Sequence, residues 1–265
     1  LNGNGSNITI SGGKVTAMGI GGGAGIGGGL NGNGSNITIS GGKVTAMGIG
    51  GGAGIGGGLN GNGSNITISG GKVTAMGIGG GAGIGGGANH TGTEGPGKGS
   101  DITISGGTVK ATSDHAGAGI GGGWSGKSGK VTFSGKVKAT VQGGNKPTIT
   151  EIQAYGTGAG IGDGGSFSNG QPVNGADLYL DKNNNNNLLD VSNLEAGAII
   201  TCYKQGTEIP KPILYQIFKA NILTGDTIEI QVSKIWEDDF AGAQSITVGL
   251  YANGTKVDKK DITPN

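Results

Sequence analysis

The stretch LNGNGSNITISGGKVTAMGIGGGAGIGGG, residues 1–29, recurs without a substitution at 30–58 and again at 59–87. A perfect period of this length marks a repeat architecture in which each unit is covered by its neighbours. Within the unit, Ile8 and Ile10 flank Thr9, Val15 and Ala17 flank Thr16, and Ala24 and Ile26 flank Gly25. Alternation of period two argues for strands. Three short strands separated by Asn-Gly, Gly-Gly and Gly-Gly-Gly corners are what one coil of a three-sided parallel β-helix requires. The predicted fold class is therefore all-β, a parallel β-solenoid of about five coils built on a 29-residue repeat.

The degenerate copies separate core from corner. Around 88–123 the inward set returns as Ile102, Ile104, Val109, Ala111, Ala118 and Ile120, whereas Met18 and Ile20 become Thr112 and Asp114, which reads as a tolerant corner. A fifth copy reads as Val131, Phe133, Val137, Ala139, Ala159 and Ile161, with an insertion near 142–156. The solenoid is expected to end near Gly165, and Leu1 begins inside the unit, so a longer parent is expected.

Composition narrows the function. Glycine supplies 66 of 265 residues, aromatics 4% and charged residues 13%, against a usual charged share of about 25%. The net charge of +1, without a basic stripe interleaved with aromatics, points away from nucleic acid. No apolar run approaches the roughly 20 residues of a spanning helix, so no membrane insertion is expected. Cys202 stands alone, which leaves neither a disulfide framework nor a thiolate metal cluster.

A parallel β-helix invites comparison with pectate-lyase-like enzymes, which need clustered carboxylates for Ca²⁺ or for acid catalysis. Residues 1–93 contain no Asp or Glu, so catalysis in the rod is not expected. Asp114 and His115 form the one local acid–imidazole pair and read as corner residues. Asn7, Asn36, Asn65 and Asn89 satisfy the N-x-[ST] pattern and read as turn asparagines. The outward row of Asn7, Thr9 and Ser11 leaves ice or carbohydrate binding open as alternatives. Lys14, Lys43 and Lys72 are expected to lie one above another outside the rod.

Beyond Gly165 glycine thins and ordinary alternation appears, so a small β-sandwich is expected over 166–228. Asp181, Asn183, Asn185, Asn187 and Asp190 place oxygen ligands at alternate positions, in the manner of a Ca²⁺ loop. Asn186 stands where such a loop has glycine and Ser192 where it ends in a carboxylate, so an asparagine-rich turn competes with the metal reading.

Two resemblances add to this. The GAGIGGG and ITISGGKVTA segments resemble glycine-rich repeats of large surface proteins of Gram-positive gut bacteria. The run Ile230, Val232, Lys234, Trp236 and Asp238, with Val248, Leu250, Asn253 and Gly254 after it, resembles the opening strands of a Cna protein B-type domain, here 229–265. That family implies an isopeptide bond from its first-strand lysine, the position of Lys234, to an asparagine near the domain's end. The partner is not identifiable here, so no crosslink is expected. Together the resemblances imply a secreted, cell-wall-associated adhesin segment: a non-enzymatic spacer facing a host or environmental surface, with glycan as one such ligand. Peptidoglycan anchoring is expected through other parts of the parent, and the alternatives are a ligand-binding solenoid or a fragment of a polysaccharide-active enzyme.

Overall fold

The computed structural model describes residues 2–90, 96–144, 156–168, 171–178, 188–195, 197–203, 212–215, 246–252 and 255–262. The chain divides into two compact units, 1–220 and 221–265.

In the first unit each repeat contributes three strands. The first coil has β1 (Gly5–Ile10), β2 (Lys14–Gly19) and β3 (Ile26–Gly27), the second β4 (Gly34–Ile39), β5 (Lys43–Ile49) and β6 (Ile55–Gly56). The third has β7 (Gly63–Ile68), β8 (Lys72–Ile78) and β9 (Ile84–Gly85), the fourth β10 (Gly99–Ile104), β11 (Thr108–Ser113) and β12 (Ile120–Gly121). The fifth has β13 (Val131–Gly135), β14 (Lys138–Gln142) and β15 (Ile161–Gly162). Corresponding strands pair in parallel, giving three sheets that run along the rod. The chain is thus an all-β parallel solenoid, as the period requires.

Register is strict: Ile8 lies beside Ile37 and Ile37 beside Ile66, while Val15 lies beside Val44 and Ala17 beside Ala46. The core is therefore a set of ladders of like side chains. Ile37, Ile39, Ile55, Ile66, Ile68 and Ile84 are fully buried, each contributing roughly 1.5–3 kcal/mol relative to exposure.

Glycine lets the coil close so tightly. A Cβ on Gly34, which opens the first strand of the second coil, would run into the backbone carbonyl of Gly56, in the third strand of the same coil. Gly56 itself sits at φ +133°, and a Cβ there would meet the carbonyl of Gly85 one coil on. Backbone packs directly on backbone at this edge, which no other residue permits.

Three sequence expectations are revised. Met18 lies in β2 and pairs with Met47, so the segment read as a tolerant corner is the outward-facing end of a strand. In the fifth coil the partners of Val109 and Ala111 are Ala139 and Val141, two residues later than read from the sequence; Val137 is buried just before the strand. The stack also continues past Gly165. β16 (Ser166–Ser168) and β17 (Gln171–Val173) form a small antiparallel hairpin, and then β18 (Leu189–Leu194) and β19 (Ile199–Tyr203) extend two of the sheets by parallel pairing with β13 and β14. These residues add a sixth rung where a separate sandwich over 166–228 was expected. Hydrophobic alternation looks alike in both architectures, and only the pairing partner distinguishes them.

The stack then turns antiparallel. β20 (Pro212–Tyr215) pairs antiparallel with β19, and Ala176 and Leu178 cross the last rung of the third sheet, with Asp163 N donating to Ala176 O at 2.9 Å and Leu178 N to Ile161 O at 3.0 Å. β20 is thus the edge strand of the second sheet among the described residues.

The second unit contains the antiparallel hairpin of β21 (Ile246–Ala252) and β22 (Thr255–Ile262), with a bulge between Leu250 and Tyr251.

Replacing Gly56 by Ala is expected to destabilise the rod by more than about 2 kcal/mol, because the new Cβ meets both a forbidden backbone conformation and a carbonyl. Gly12→Ala, with open space around it, is expected to stay within about 0.5 kcal/mol of the parent in urea titrations. Equal effects of the two substitutions would contradict backbone closure as the organising contact.

Candidate functional site

Each outer face repeats its side chains rung by rung, so any site on the rod is a row. At the rim of the first sheet, Asn4, Ser6, Asn33, Ser35, Asn62, Ser64, Lys98 and Ser100 line a shallow groove of about 340 Å³. The side-chain carbonyl of Asn4 accepts from Asn33 N at 2.8 Å, that of Asn33 from Asn62 N at 2.8 Å, and that of Asn62 from Lys98 N at 2.9 Å. Each asparagine thereby ties one coil to the next through its oxygen and keeps its NH₂ group for the groove. The serines stand in register beside them, Ser6 on Ser35 and Ser35 on Ser64. The result is a row of amide donors and hydroxyls that ends at an exposed lysine.

Two further asparagine ladders flank it. Asn36 Nδ2 donates to Asn7 Oδ1 at 3.1 Å and Asn65 Nδ2 to Asn36 Oδ1 at 2.6 Å; Asn31 and Asn60 repeat the pattern, at 3.2 Å to Asn2 and 2.9 Å to Asn31. Asn7, Asn31, Asn36, Asn60 and Asn65 all take φ between 51° and 60°, the left-handed conformation that asparagine tolerates best among residues with a side chain. In the first strand this twist sends both Ser6 and Asn7 outward before Ile8 returns to the core. The N-x-[ST] amides of Asn36 and Asn65 are therefore spent on joining coils, and Asn89 is buried. The sequence reading singled out the outward row of Asn7 and Thr9 but missed the groove. The signal was present in Asn2, Asn4 and Ser6, polar residues at alternate positions in each of the three exact copies.

The second sheet presents a different face. Lys14 pairs with Lys43 and Lys43 with Lys72, as expected. In the fourth coil Thr108 takes this column and Lys110 appears one outward position further along; Lys138 restores the column in the fifth. All five lysines are exposed. Like charges one rung of about 4.8 Å apart repel by about 1 kcal/mol per neighbouring pair in water. Beside them run the threonine column (Thr16, Thr45, Thr74) and the methionine column, whose first member, Met18, is 61% exposed.

The remaining polar groups serve the stack. Asp114 Oδ1 accepts from Gly79 N at 2.9 Å and lies 2.8 Å from His115 Nδ1, so the Asp114 carboxylate fastens the fourth coil to the third. Asp163 replaces a corner glycine and is buried; it accepts from Ser128 N at 2.7 Å and pairs with Lys127 Nζ at 3.0 Å. Cys202 faces inward in the sixth rung, beside Val141. Burial first, and then the nearby Asp177 carboxylate, push its thiol up to about 12.

Of the Ca²⁺-loop candidates, Asp190 lies in β18 beside Thr132. Asp181, Asn183, Asn185 and Asn187 fall outside the described residues, as does Lys234. Among the described residues no group of three or more His, Cys, Asp or Glu side chains is placed to hold a metal ion. No described helix is long and apolar enough to cross a membrane.

Residues 8–30, 37–59, 66–88 and 102–124 match the family described as beta helix repeat. Each matched stretch begins at the first inward residue of a coil and runs through its three sides, so the match and the register locate the same unit. No curated protein and no solved structure matches the chain.

Asn36→Gly keeps the left-handed turn but loses two ladder hydrogen bonds, while Asn36→Ala loses both the bonds and the turn preference. The glycine variant is expected to unfold about 1–2 kcal/mol earlier than the parent and the alanine variant about 1 kcal/mol earlier still. The reverse order in denaturant titrations would contradict the turn reading. Cys202 is expected to resist alkylation at pH 8 in the native protein and to react fast in urea. Its thiol titrates at 9.0 without burial and near 12 when buried. Its contribution to stability is therefore complete below pH 9 and lost as pH rises toward 12. Rapid native labelling would place the thiol outside the core.

Proposed function

We propose that this chain is a non-enzymatic spacer and presentation segment of a protein on the surface of a Gram-positive bacterium, with adhesion as the role of the whole. The observation that carries this reading is the register itself. Each coil repeats the packing of the one before it, so length grows by adding coils without any new packing problem. The polar groups in the rod fit a structural task, since the asparagine amides, Asp114 and Asp163 bind neighbouring coils together. The placement at the cell surface rests on the resemblance of the GAGIGGG and ITISGGKVTA segments to surface-protein repeats. The resemblance of 229–265 to a Cna protein B-type domain supports the same setting, because such domains stack into stalks.

A second reading, a ligand-binding solenoid, is favoured by the groove of Asn4, Ser6 and their successors. A row of amide donors and hydroxyls repeating at each rung suits a chain molecule, such as a glycan, with a comparable repeat.

Removing residues 30–58, one whole unit, is the test of the spacer. The shortened protein is expected to keep its β-sheet circular dichroism and cooperative unfolding, and small-angle scattering should report a rod shorter by about 4.8 Å. Removing 30–51 instead breaks the period and should unfold the N-terminal coils. If both deletions were equally disruptive, modular growth of the rod would be refuted.

A further inference from the structure

The outer face of β2, β5, β8, β11 and β14 is cationic along its whole length. The outward residues of these strands are the five lysines, Ile49, Ile78, the threonines with Thr112 buried, Met18, Met47, Met76 and Gln142, none of them acidic; Asp114, just past β11, accepts from Gly79 N. Neutral packing does not require this pattern. Both neighbouring repulsions among Lys14, Lys43 and Lys72 would be removed if Lys43 were threonine, and in the fourth coil Thr108 does take the column. There, however, Lys110 restores a cation to the same face one outward position away, so every coil from the first to the fifth carries one. The constant feature is one positive charge per rung and not lysine at one column.

We propose that this face is a docking surface for a linear acidic polysaccharide that carries an anionic group on each sugar. The spacing suits such a polymer, since a sugar linked through opposite ends of its ring is about as long as one rung of ~4.8 Å, so its anionic groups recur on the scale of the lysine spacing. Bound anions also relieve the repulsion along the lysine row and release the counterions of both partners. The two neighbouring columns suit the remainder of a sugar: the threonine hydroxyls meet ring hydroxyls, and the methionine thioethers offer an adaptable apolar strip to the C–H face of the ring. Single-stranded nucleic acid is the weaker match, because its bases need aromatic platforms and the described part of this face carries none on the first five rungs. Each lysine contributes little alone, and binding accumulates over rungs as multivalent contact does.

The test uses the full chain with polymannuronate, the same polymer with its carboxylates esterified, and an oligothymidylate of matched charge, each followed by titration calorimetry. Polymannuronate is expected to bind at about 50 mM salt and to weaken about tenfold or more at about 200 mM, while the ester does not bind. The triple variant K14Q/K43Q/K72Q should lose about tenfold in affinity, whereas K14R/K43R/K72R should retain it. Unchanged affinity in the glutamine variant, or equal binding of the ester, would overturn the proposal; tighter binding of oligothymidylate would assign the face to nucleic acid instead. If the glutamine variant fails to fold, the salt and ester arms still decide. The spacer reading is not at stake in any of these outcomes, since it concerns length and folding and not affinity.

Discussion

Everything in the rod depends on one contact, the packing of main chain against main chain where the third side of each coil meets the first. Gly34 against Gly56, and Gly63 against Gly85, bring a carbonyl into the space a methyl group would occupy. Because that edge is so close, the third strand needs only two residues, as in Ile55–Gly56, and the enclosed space is filled by Ile, Val and Ala alone. Larger residues enter only where the coil has changed. Phe133 occupies the place of Ile104 in the fifth coil, where Ala139 and Val141 exchange the sizes of Val109 and Ala111 without net change.

Tight closure also explains the division of labour between glycine and asparagine. Both reach positive φ, but asparagine adds an amide that can bond to its copy in the next coil. It appears where the turn faces solvent and a ladder can form, as at Asn7, Asn36 and Asn65, and the register partner in the fourth coil is Asp101, also at φ 54°. Stacked amides of this kind stabilise cross-β assemblies for the same reason, each group donating to one neighbour and accepting from the other. Glycine holds the interior edge, where a side chain has nowhere to go, and also exposed corners such as Gly13 at φ +76°.

Much of this was legible in the sequence, because an exact period converts one correct assignment into three. The inward set of Ile8, Ile10, Val15, Ala17, Ala24 and Ile26 and the corners between them follow from alternation alone. The two-residue slip in the fifth coil does not, since Val137, Ala139 and Val141 are all apolar at alternate positions and only hydrogen-bond pairing chooses among them. The sixth rung escaped notice for a related reason. Leu189–Leu194 and Ile199–Tyr203 are separated by a single corner glycine, Gly197, in place of the Gly-Gly of the repeat, and an alternating strand reads the same whether it joins an existing stack or begins a new sheet. The groove was missed because its polar residues were read singly as turn formers, while their meaning comes from being repeated along an axis.

A solenoid separates what folds it from what its surface says, and magnitudes show how far. The lysine row opposes folding by about 1 kcal/mol per neighbouring pair in water, and salt reduces this further. Against it stand three fully buried isoleucines in the second coil alone, Ile37, Ile39 and Ile55, each contributing roughly 1.5–3 kcal/mol. The interior therefore tolerates a charged row outside with margin to spare, and the same margin covers the drift from Met18 to Thr112 and Gln142 along one outward column. Inward positions lack that freedom, since a polar side chain there would face isoleucines above and below without a partner. The inward columns thus vary only among apolar residues, as from Ile104 to Phe133, and polar variation lies on the faces and corners, where any recognition by this rod has to be written.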